Sequence, residues 1–461
     1  KEIILKAIMK KDVQNEKGEE LVRLSFYVQV MNNNKLQREE ELWFEIEKAF
    51  SKYLSADRSD GFVVMILLTA MFEQTDRIKS DYPISQKLWY NLTYNVIPQL
   101  VIMDRRRFKN IVLEIPTTKD MYSPKEVGMG MSRGVDSFAT FYEYYDFPND
   151  DYKLTSLTYY NVGAHHGQGV KGRTMSERFF GQLEGTEKFC EEYNYPLLIV
   201  NSNLYSFLKK MATKHIRFDQ THTYRNLGCT LLFQRYFKKY YYSSTYNLDK
   251  FKAKANSDSA YYEKWLIPLL GTENTEFHSA NQAFSRIEKT KMIADKEGCY
   301  KNLLVCFSED ENCGKCAKCK RTLMQIDALG KGILENFKDT FDIDEYKSKY
   351  RERWFNDMDN LMVNGMMPIT YKETFYEAAK NNPQLVANSK HIKMYDSPVK
   401  LEVTARSLAV REHPLLESTM LTRIPKGYQF LCSMECHGWC KIILEDGTIG
   451  WSYKRYLKSK E

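Results

Sequence analysis

Six consecutive residues, Ser132 to Ser137 (S-R-G-V-D-S), have the side chains and the backbone flexibility needed to hold a phosphate group. They follow an apolar segment, Val127 to Met131, and aromatic residues then repeat at helical spacing from Phe138 to Tyr145. The segment therefore predicts a strand, a short loop and the first turn of a helix. Such a loop directs several N–H groups at one point, and the helix end adds a positive dipole.

Each side chain type in the loop suits phosphate chemistry. Gly134 lets the backbone approach an anion closely, and the hydroxyls of Ser132 and Ser137 can add hydrogen bonds. Asp136 can cap the helix or hold a magnesium ion. An ordinary strand–turn–helix junction explains the six residues about as well, because a single short motif is weakly specific.

The pattern S-x-G-V-D-S resembles the pyrophosphate loop, S-G-G-x-D-S, of the N-type ATP pyrophosphatases, or PP-loop enzymes. These enzymes cleave ATP between the α and β phosphates and transfer AMP to a substrate oxygen. Arg133 stands where that family usually has its first glycine. The resemblance implies ATP and Mg²⁺ as the ligands of the loop.

Four cysteines form a second motif, C-x6-C-x2-C-x2-C, at Cys306, Cys313, Cys316 and Cys319. Four thiolates in a tetrahedron suit zinc, and Gly314 eases the tight turn between two of them. An iron–sulfur cluster could use the same ligands. Four protein thiolates leave no open position for a substrate, so the predicted role is structural.

A PP-loop followed by a four-cysteine knot resembles the 7-cyano-7-deazaguanine synthase (QueC-like) family over about residues 123 to 335. The segments Tyr224-Arg225-Asn226 and Arg286 to Lys289 also match that family. The resemblance implies Asp136 and Lys289 as catalytic residues and Cys306, Cys313, Cys316 and Cys319 as zinc ligands. It implies nucleotide binding by Ser132, Arg133, Gly134, Val135, Asp136, Ser137, Asn161, Gly163 and Arg225.

The function implied is that of an AMP-forming ligase or synthase, which activates a carboxylate of a deazapurine type for attack by a nitrogen nucleophile. The nucleophile is ammonia in the synthase. QueC-like proteins also occur in bacterial antiviral defence islands, where the acceptor can be a protein amine. His165 and His166 follow a strand near the expected site and are candidates for a general base or for substrate ligands.

Two other functions stay open. A PP-loop RNA-modifying enzyme, such as a thiolase or a lysidine-type ligase, would need a basic RNA-binding face. Cys190 and Cys229 are available as a thiolase nucleophile but have no recognisable context. A degenerate loop with Arg133 could instead bind nucleotide in a scaffold that recruits a partner.

Hydrophobic periodicity predicts four segments. Residues 1–122 form an α/β accessory domain, with a hairpin of Ile3 to Met9 and Leu21 to Val30 and helices over Glu39 to Tyr53, Phe62 to Phe72 and Gln86 to Leu100. Residues 123–335 alternate strands and helices, which predicts an α/β fold with a doubly wound parallel sheet that binds ligands at its carboxyl edge. Residues 336–395 are a helical connector.

Residues 396–461 resemble a bacterial SH3-like barrel, because Gly438-Trp439 and Gly450-Trp451 flank a strand–turn–strand with an Asp446-Gly447 turn. Such modules usually bind a partner or dock on their own enzyme. A second metal site at Cys432, Cys436, His437 and Cys440 is less favoured, because its spacing falls across an alternating strand pattern.

The composition, 43% hydrophobic and 28% charged, is typical of a globular protein. The net charge of +7 permits contact with ATP or another acidic partner, and nucleic acid is not favoured as a partner. The first residues alternate charged with aliphatic types, and the longest apolar run, Gly61 to Phe72, is too short to cross a bilayer. With six further scattered cysteines, the chain is expected in the reducing cytoplasm.

Overall fold

The computed structural model describes residues 1–15, 18–164, 174–212, 216–255, 257–307, 309–363 and 369–460. The chain divides into two compact units, one of residues 1–289 with 307–311 and the other of residues 290–306 with 312–461. The boundaries at 122, 335 and 395 inferred from the sequence stay predictions. No helix among the described residues is long and apolar enough to cross a membrane.

The first unit is built on a mixed sheet, in which ten strands are found among its described residues. Their order across the sheet is β12-β11-β8-β9-β10-β3-β2-β1-β4-β6. The strands of this unit are β1 Glu2–Gln14, β2 Glu20–Asn32, β3 Lys35–Glu47, β4 Arg77–Ser80, β5 Ile84–Ser85, β6 Val112–Glu114, β7 Thr117–Thr118, β8 Glu126–Gly130, β9 Ser156–Tyr160, β10 Leu197–Ser202, β11 Phe237–Ser243 and β12 Glu276–Ala280. Strands β5 and β7 form a separate parallel pair.

The strands of residues 123–335 form a parallel sheet, as predicted, but strands of residues 1–122 extend the same sheet, so the whole sheet is mixed. Strands β12, β11, β8, β9 and β10 run parallel to one another. Strand β10 then pairs antiparallel with β3, and β3, β2 and β1 follow as an antiparallel meander. Periodicity within one strand carries no information about the direction of its neighbour, so the sequence pattern could not show this junction.

The parallel half has a strand order that creates a ligand-binding crevice. From β8 the chain goes to β9 and β10 on one side of β8 and returns to β11 on the other side. The order reverses at β8, and open α/β sheets bind ligands outside the carboxyl ends of the strands at such a point. The loop Ser132 to Ser137 follows β8 directly.

The predicted helix over Glu39 to Tyr53 is wrong. Residues up to Glu47 form strand β3, and only Lys48–Tyr53 is helical, as a 3-10 turn. Leu42, Phe44 and Ile46 alternate with more exposed residues and are at most 1% exposed. This period of two fits a strand that buries one face, which outweighed the helix propensity of the glutamates before it.

The helices of the first unit begin with an almost fully buried segment, since every residue from Asp60 to Met71 is buried. The α-helices are α1 Asp60–Phe72, α2 Gln86–Asn91, α3 Ile97–Met103, α4 Val135–Tyr144, α5 Met175–Glu192, α6 Leu204–Met211, α7 Phe218–Leu231, α8 Glu263–Leu269 and α9 Arg286–Ile293, which runs past the end of this unit. The predictions over Phe62 to Phe72 and Gln86 to Leu100 are confirmed, the latter as two α-helices joined by a π-helical turn.

Two glycines fix the position of α7, which carries residues of the candidate site. A Cβ on Gly61 of α1 would lie 2.5 Å from the Gly228 carbonyl oxygen, and a Cβ on Gly228 would lie 2.9 Å from the Gly61 carbonyl oxygen. Helices α1 and α7 therefore cross with their backbones in contact. A close crossing against a fully buried helix holds α7 firmly in place.

The second unit combines helices with an antiparallel sheet. Its helices are α10 Glu297–Asn302, α11 Ala317–Ala328, α12 Ile343–Glu345, α13 Arg351–Val363 and α14 Ile369–Asn381. Its strands are β13 Ile392–Val403, β14 Ser407–Arg411, β15 Met420–Pro425, β16 Gln429–Cys436, β17 Trp439–Ile443, β18 Ile449–Tyr453 and β19 Leu457–Ser459. The predicted hairpin with the Asp446-Gly447 turn is confirmed, since β17 pairs antiparallel with β18.

Candidate functional site

The loop after β8 is a compact turn that exposes backbone donors. The Ser137 hydroxyl donates to the Gly134 carbonyl at 2.9 Å and lies 3.3 Å from the Ser132 hydroxyl. Helix α4 begins after Gly134, which as a glycine offers no side-chain acceptor to the first-turn amides. An anion could therefore take these donors, which an N-cap side chain would otherwise bind.

Arg133 adopts a backbone conformation that favours glycine. Its φ of 58° lies in the left-handed region, which a non-glycine residue occupies at a cost of about 1–2 kcal/mol. Its guanidinium donates to the Gln182 carbonyl on α5 at 3.0 Å. It also packs on Gly185, where a Cβ would lie 2.3 Å from Arg133 Nη1. The arginine thus adopts a backbone conformation that is usual for glycine and directs its side chain onto α5.

Asp136 joins the loop to two cations that come from α9. Lys289 Nζ lies 3.3 Å from Asp136 Oδ1, and Arg286 Nη1 lies 2.6 Å from Asp136 Oδ2. The Lys289 side chain is fully buried and also donates to the Ser244 carbonyl. The two predicted catalytic residues, Asp136 and Lys289, are therefore in contact although 153 residues separate them.

The charge state of Asp136 follows from these neighbours. Burial raises the pKa of this carboxyl, but the charges and hydrogen bonds of Arg286 and Lys289 outweigh burial and hold the pKa below its ordinary value. Asp136 is therefore ionised at neutral pH. One helical turn of α9 brings Arg286 and Lys289 to the same face, and only the fold shows that this face meets Asp136.

Arg225 and Gly163 form a tight contact at the end of β9. Gly163 has a φ of 112°, and a Cβ there would lie 2.6 Å from Arg225 Nη1. Arg225 is 3% exposed, donates to the Val162 carbonyl at 3.3 Å, and has the rings of Tyr205 and Phe218 within 5.8 Å. Burial lowers its pKa to about 10. Within the described part of the chain the Nε of this buried guanidinium has no hydrogen-bond acceptor.

Asn161 also lies at the end of β9 and is 2% exposed. Its amide nitrogen donates to Asn201 Oδ1 at 2.8 Å, and its own Oδ1 is a buried acceptor with no donor among the described residues. The Asn161 and Arg225 side chains each leave polar atoms unbonded, a feature that often marks a ligand site. The structure shows no hydrogen bond from either one to the loop 132–137 within the described chain.

A cleft of about 300 Å³ opens at the loop, within the range of small-molecule sites. Its polar wall includes Ser132, Asp136 and Ser137. Aromatic residues make up much of the remainder, namely Tyr159, Tyr160, Phe218, Tyr240, Tyr241 and Tyr242. Two further lining residues, His222 and Asn226, project from α7. Such a lining suits a planar ring with a charged tail.

His222 was missed in the sequence analysis, although it lies three residues before Arg225, on α7. The predicted general-base candidates, His165 and His166, lie outside the described residues. Among the described residues, His222 is the histidine that lines the cleft. A histidine on the helix of a recognised motif was the available signal.

The four motif cysteines come together in the second unit. The sulfurs of Cys306, Cys313, Cys316 and Cys319 lie within 4.8 Å of one another, so the cluster could hold a metal ion such as zinc. The Cys316 amide donates to the Cys313 sulfur at 3.3 Å, and the Cys319 amide lies 3.5 Å from the Cys316 sulfur. These amide–sulfur bonds orient the sulfurs of the cluster.

Asn312 fixes the chain on which Cys306 lies. Its Oδ1 accepts from the amides of Val305 and Cys306, and its Nδ2 donates to the carbonyls of Leu303 and Thr340 at 2.7 and 3.1 Å. Gly314 has a φ of 69°, as the tight turn requires. The ligand set is therefore largely preformed.

The second cysteine-rich segment does not form such a cluster among the described residues. Cys432, Cys436 and Cys440 are buried, and the Cys432 thiol donates to the Met434 carbonyl at 3.0 Å. These side chains belong to strands β16 and β17, as the alternating pattern predicted.

Comparison of the chain with protein-family models, with curated proteins and with solved structures gives no match in any of the three.

Proposed function

We propose that this protein is an ATP-dependent, AMP-forming enzyme of the QueC-like PP-loop type. It transfers AMP to a carboxylate oxygen with release of pyrophosphate, and a nitrogen nucleophile then displaces AMP. The main support is one juxtaposition: the loop Ser132 to Ser137 lies at the carboxyl end of β8, where the strand order reverses, and Lys289 and Arg286 converge on its Asp136.

The charges of the loop suit the first step. A carboxylate resists attack by an amine because oxide is a poor leaving group, and transfer of AMP replaces it with a good one. Negative charge develops on the departing pyrophosphate, and the open amides of α4 together with the guanidinium of Arg286 and the ammonium of Lys289 are placed to stabilise it. Mg²⁺, when bound, would neutralise phosphate charge.

Asp136 fits the role of magnesium ligand. Its carboxylate is 24% exposed, lines the cleft and is ionised at neutral pH because of its two cations. Oxygen ligands of this kind are the ones that Mg²⁺ prefers, together with phosphate oxygens. The buried Lys289 keeps its position through the Ser244 carbonyl.

The acceptor we propose is a carboxylate on a planar heteroaromatic ring of the deazapurine type. The rings of Phe218 and Tyr240 line the cleft beside the loop and suit stacking with such a ring. The nucleophile is ammonia or an amine of a protein.

The seven-stranded antiparallel sheet in residues 392–459 is proposed to be an SH3-like module that binds a protein partner. The four cysteines are proposed to hold a structural zinc ion.

The test measures pyrophosphate release from ATP in the presence of 7-deazapurine carboxylates. We expect release that depends on the carboxylate and disappears in Asp136→Asn. Carboxylate-independent ATP cleavage that persists in that variant would reject the loop as the site. Nucleotide binding without any release would support the scaffold alternative, and tRNA binding that weakens steeply with salt would support the RNA-modifying enzyme.

A further inference from the structure

The cleft contains a hydrogen-bonded chain of three side chains that the proposed AMP transfer leaves unused. His222 Nε2 lies 3.0 Å from Asp258 Oδ1, and His222 Nδ1 lies 2.7 Å from the Tyr242 hydroxyl. His222 and Tyr242 both line the cleft that also contains Ser132 and Asp136. The three residues come from α7, from the turn before Ser259–Tyr261 and from β11.

The surroundings of Asp258 determine the protonation pattern of this chain. Burial raises the pKa of Asp258, but the hydrogen bond and charge of His222 and the Ala260 amide, 2.9 Å away, outweigh it and hold the pKa below its ordinary value. An ionised carboxylate only accepts hydrogen bonds, so Nε2 of His222 carries the proton. In the neutral ring Nδ1 is then an acceptor, and the Tyr242 hydroxyl donates to it.

Other contacts hold the imidazole in this orientation. Its side chain is 14% exposed. The Thr223 hydroxyl lies 2.8 Å from the Ser259 hydroxyl, which ties α7 to the turn that carries Asp258. The Asn226 amide donates to the His222 carbonyl at 2.8 Å within the helix. A base whose second nitrogen is held by a carboxylate has the arrangement that general-base catalysis uses.

We propose that His222 is the base for the nitrogen-transfer half of the reaction, acting through the Tyr242 hydroxyl, with Asp258 as its positioning residue. The inference rests on the proposed function. It assigns to residues of this cleft the step that neither Asp136 nor Lys289 can perform, because Asp136 is bound between two cations and Lys289 is held by Asp136 and Ser244.

The amine nitrogen attacks the acyl carbon and forms the C–N bond, and the bond from that carbon to the AMP oxygen breaks, so AMP leaves with the electron pair. The proton lost by nitrogen passes to the Tyr242 oxygen while the Tyr242 hydroxyl proton passes to His222 Nδ1. Burial raises the pKa of Tyr242, so the two transfers are concerted and no free phenolate forms. The imidazolium is stabilised by Asp258.

The test separates the two half-reactions and uses two nucleophiles. The probes are ATP, a 7-deazapurine carboxylate, and either ammonia or hydroxylamine at neutral pH. Hydroxylamine is largely unprotonated there and attacks activated acyl groups without a base. In His222→Gln and Tyr242→Phe we expect ammonia-dependent product formation to fall by about 100-fold or more, while hydroxylamine-dependent product and pyrophosphate release stay within about threefold of the unsubstituted protein.

A matched control is His278→Gln, because His278 also has a glutamate partner, Glu276 at 3.4 Å, but is 41% exposed and does not line the cleft. It should behave like the unsubstituted protein. The role of His222 would be overturned if both variants lost activity equally with the two nucleophiles. It would also be overturned if both variants kept the ammonia-dependent rate of the unsubstituted protein. In either case, pyrophosphate release would leave the proposed function intact. A complete lack of pyrophosphate release in the unsubstituted protein would overturn the proposed function and this inference together.

Discussion

The four-cysteine cluster and the cleft differ in how far apart in the sequence their residues lie. The cluster takes all its cysteines from one short segment, Cys306 to Cys319, and amides of that segment bond to its sulfurs. The cleft and the two cations that contact its Asp136 combine residues from Ser132 to Lys289, brought together by the sheet and by α7 and α9. A site of the first kind can be found from spacing alone, whereas one of the second kind needs the fold.

The two sites also differ in what stabilises their buried ionisable groups. Beside the cleft the buried ammonium of Lys289 depends on a distant partner, Asp136. The four thiols are held together by local turns, and a metal ion would replace their protons and remove the crowding of like groups. Loss of one group should therefore affect the two sites in different ways, and four substitutions measure that difference.

The largest effect is expected from Cys316→Ser, because structural zinc contributes about 10–16 kcal/mol in small zinc domains and one of four ligands is removed. We expect loss of the bound metal and a fall of at least about 10 °C in the unfolding temperature of the second unit. Metal analysis and calorimetry measure both. The control is Cys299→Ser, another buried cysteine of that unit outside the cluster. Full metal content in Cys316→Ser would contradict the four-thiolate centre.

Next in size is Asp136→Asn, which keeps the shape of the side chain and removes its charge. Pyrophosphate release should fall by about 100- to 1,000-fold, because the fully buried Lys289 loses its anion and the magnesium ligand is lost. Asp136→Ala should also destabilise the first unit by about 3–5 kcal/mol, since it leaves a buried cation unpaired. Urea unfolding separates these effects; unchanged stability in Asp136→Ala would show that the ion pair forms only weakly.

A third substitution, Glu263→Gln, tests a buried carboxyl close to His222. Burial raises the pKa of Glu263 to about 7, against an ordinary 4.5, and its Oε1 accepts from the Thr245 amide at 3.2 Å. The folded state therefore keeps a proton that the unfolded state loses, and about 3 kcal/mol of stability, present below pH 4.5, is lost as the pH rises to about 7.

Glu263→Gln should remove this dependence of the free energy of unfolding on pH, which urea unfolding at about pH 5 and about pH 8 measures. The control is Glu276→Gln, since Glu276 is 54% exposed.

In the second unit the stability should depend on pH in the opposite direction. Burial raises the pKa of Glu377, but His413 and Lys291 lower it to about 2, so its contribution is lost as the pH falls from 4.5 towards 2. This difference would be contradicted if the stability of both units changed with pH in the same direction.

The smallest effect is expected from Gly163→Ala. The φ of 112° and the 2.6 Å approach of Arg225 to the new Cβ should cost about 1–3 kcal/mol and displace the guanidinium. Gly18→Ala is a matched control, because Gly18 has a φ of 79° but nothing within 4 Å of its Cβ position. Gly18→Ala should show only the loss of stability that comes from placing alanine at a positive φ. If both variants weaken ATP binding equally, the contact with Arg225 has no role in the cleft.

Much of the local structure could be predicted from the sequence. The hairpin of β1 and β2, the buried helix α1 and the β17–β18 hairpin follow from periodicity and turn residues. The interpretation of Glu39 to Tyr53 as a helix failed, because the glutamates that favour a helix are followed by residues that alternate across the sheet. Antiparallel pairing with β2 decided between helix and strand, and such pairing is a tertiary property.

The sequence by itself determined the cysteine ligand set and the strand–loop–helix that presents Ser132 to Ser137, because both depend on spacing within a few residues. Only the tertiary structure decided that Arg286 and Lys289 meet Asp136, that Arg133 packs on α5, and that His222, Asp258 and Tyr242 form one chain. These contacts join residues up to 153 positions apart. Their partners are set by strand order and helix packing, which local pattern does not encode.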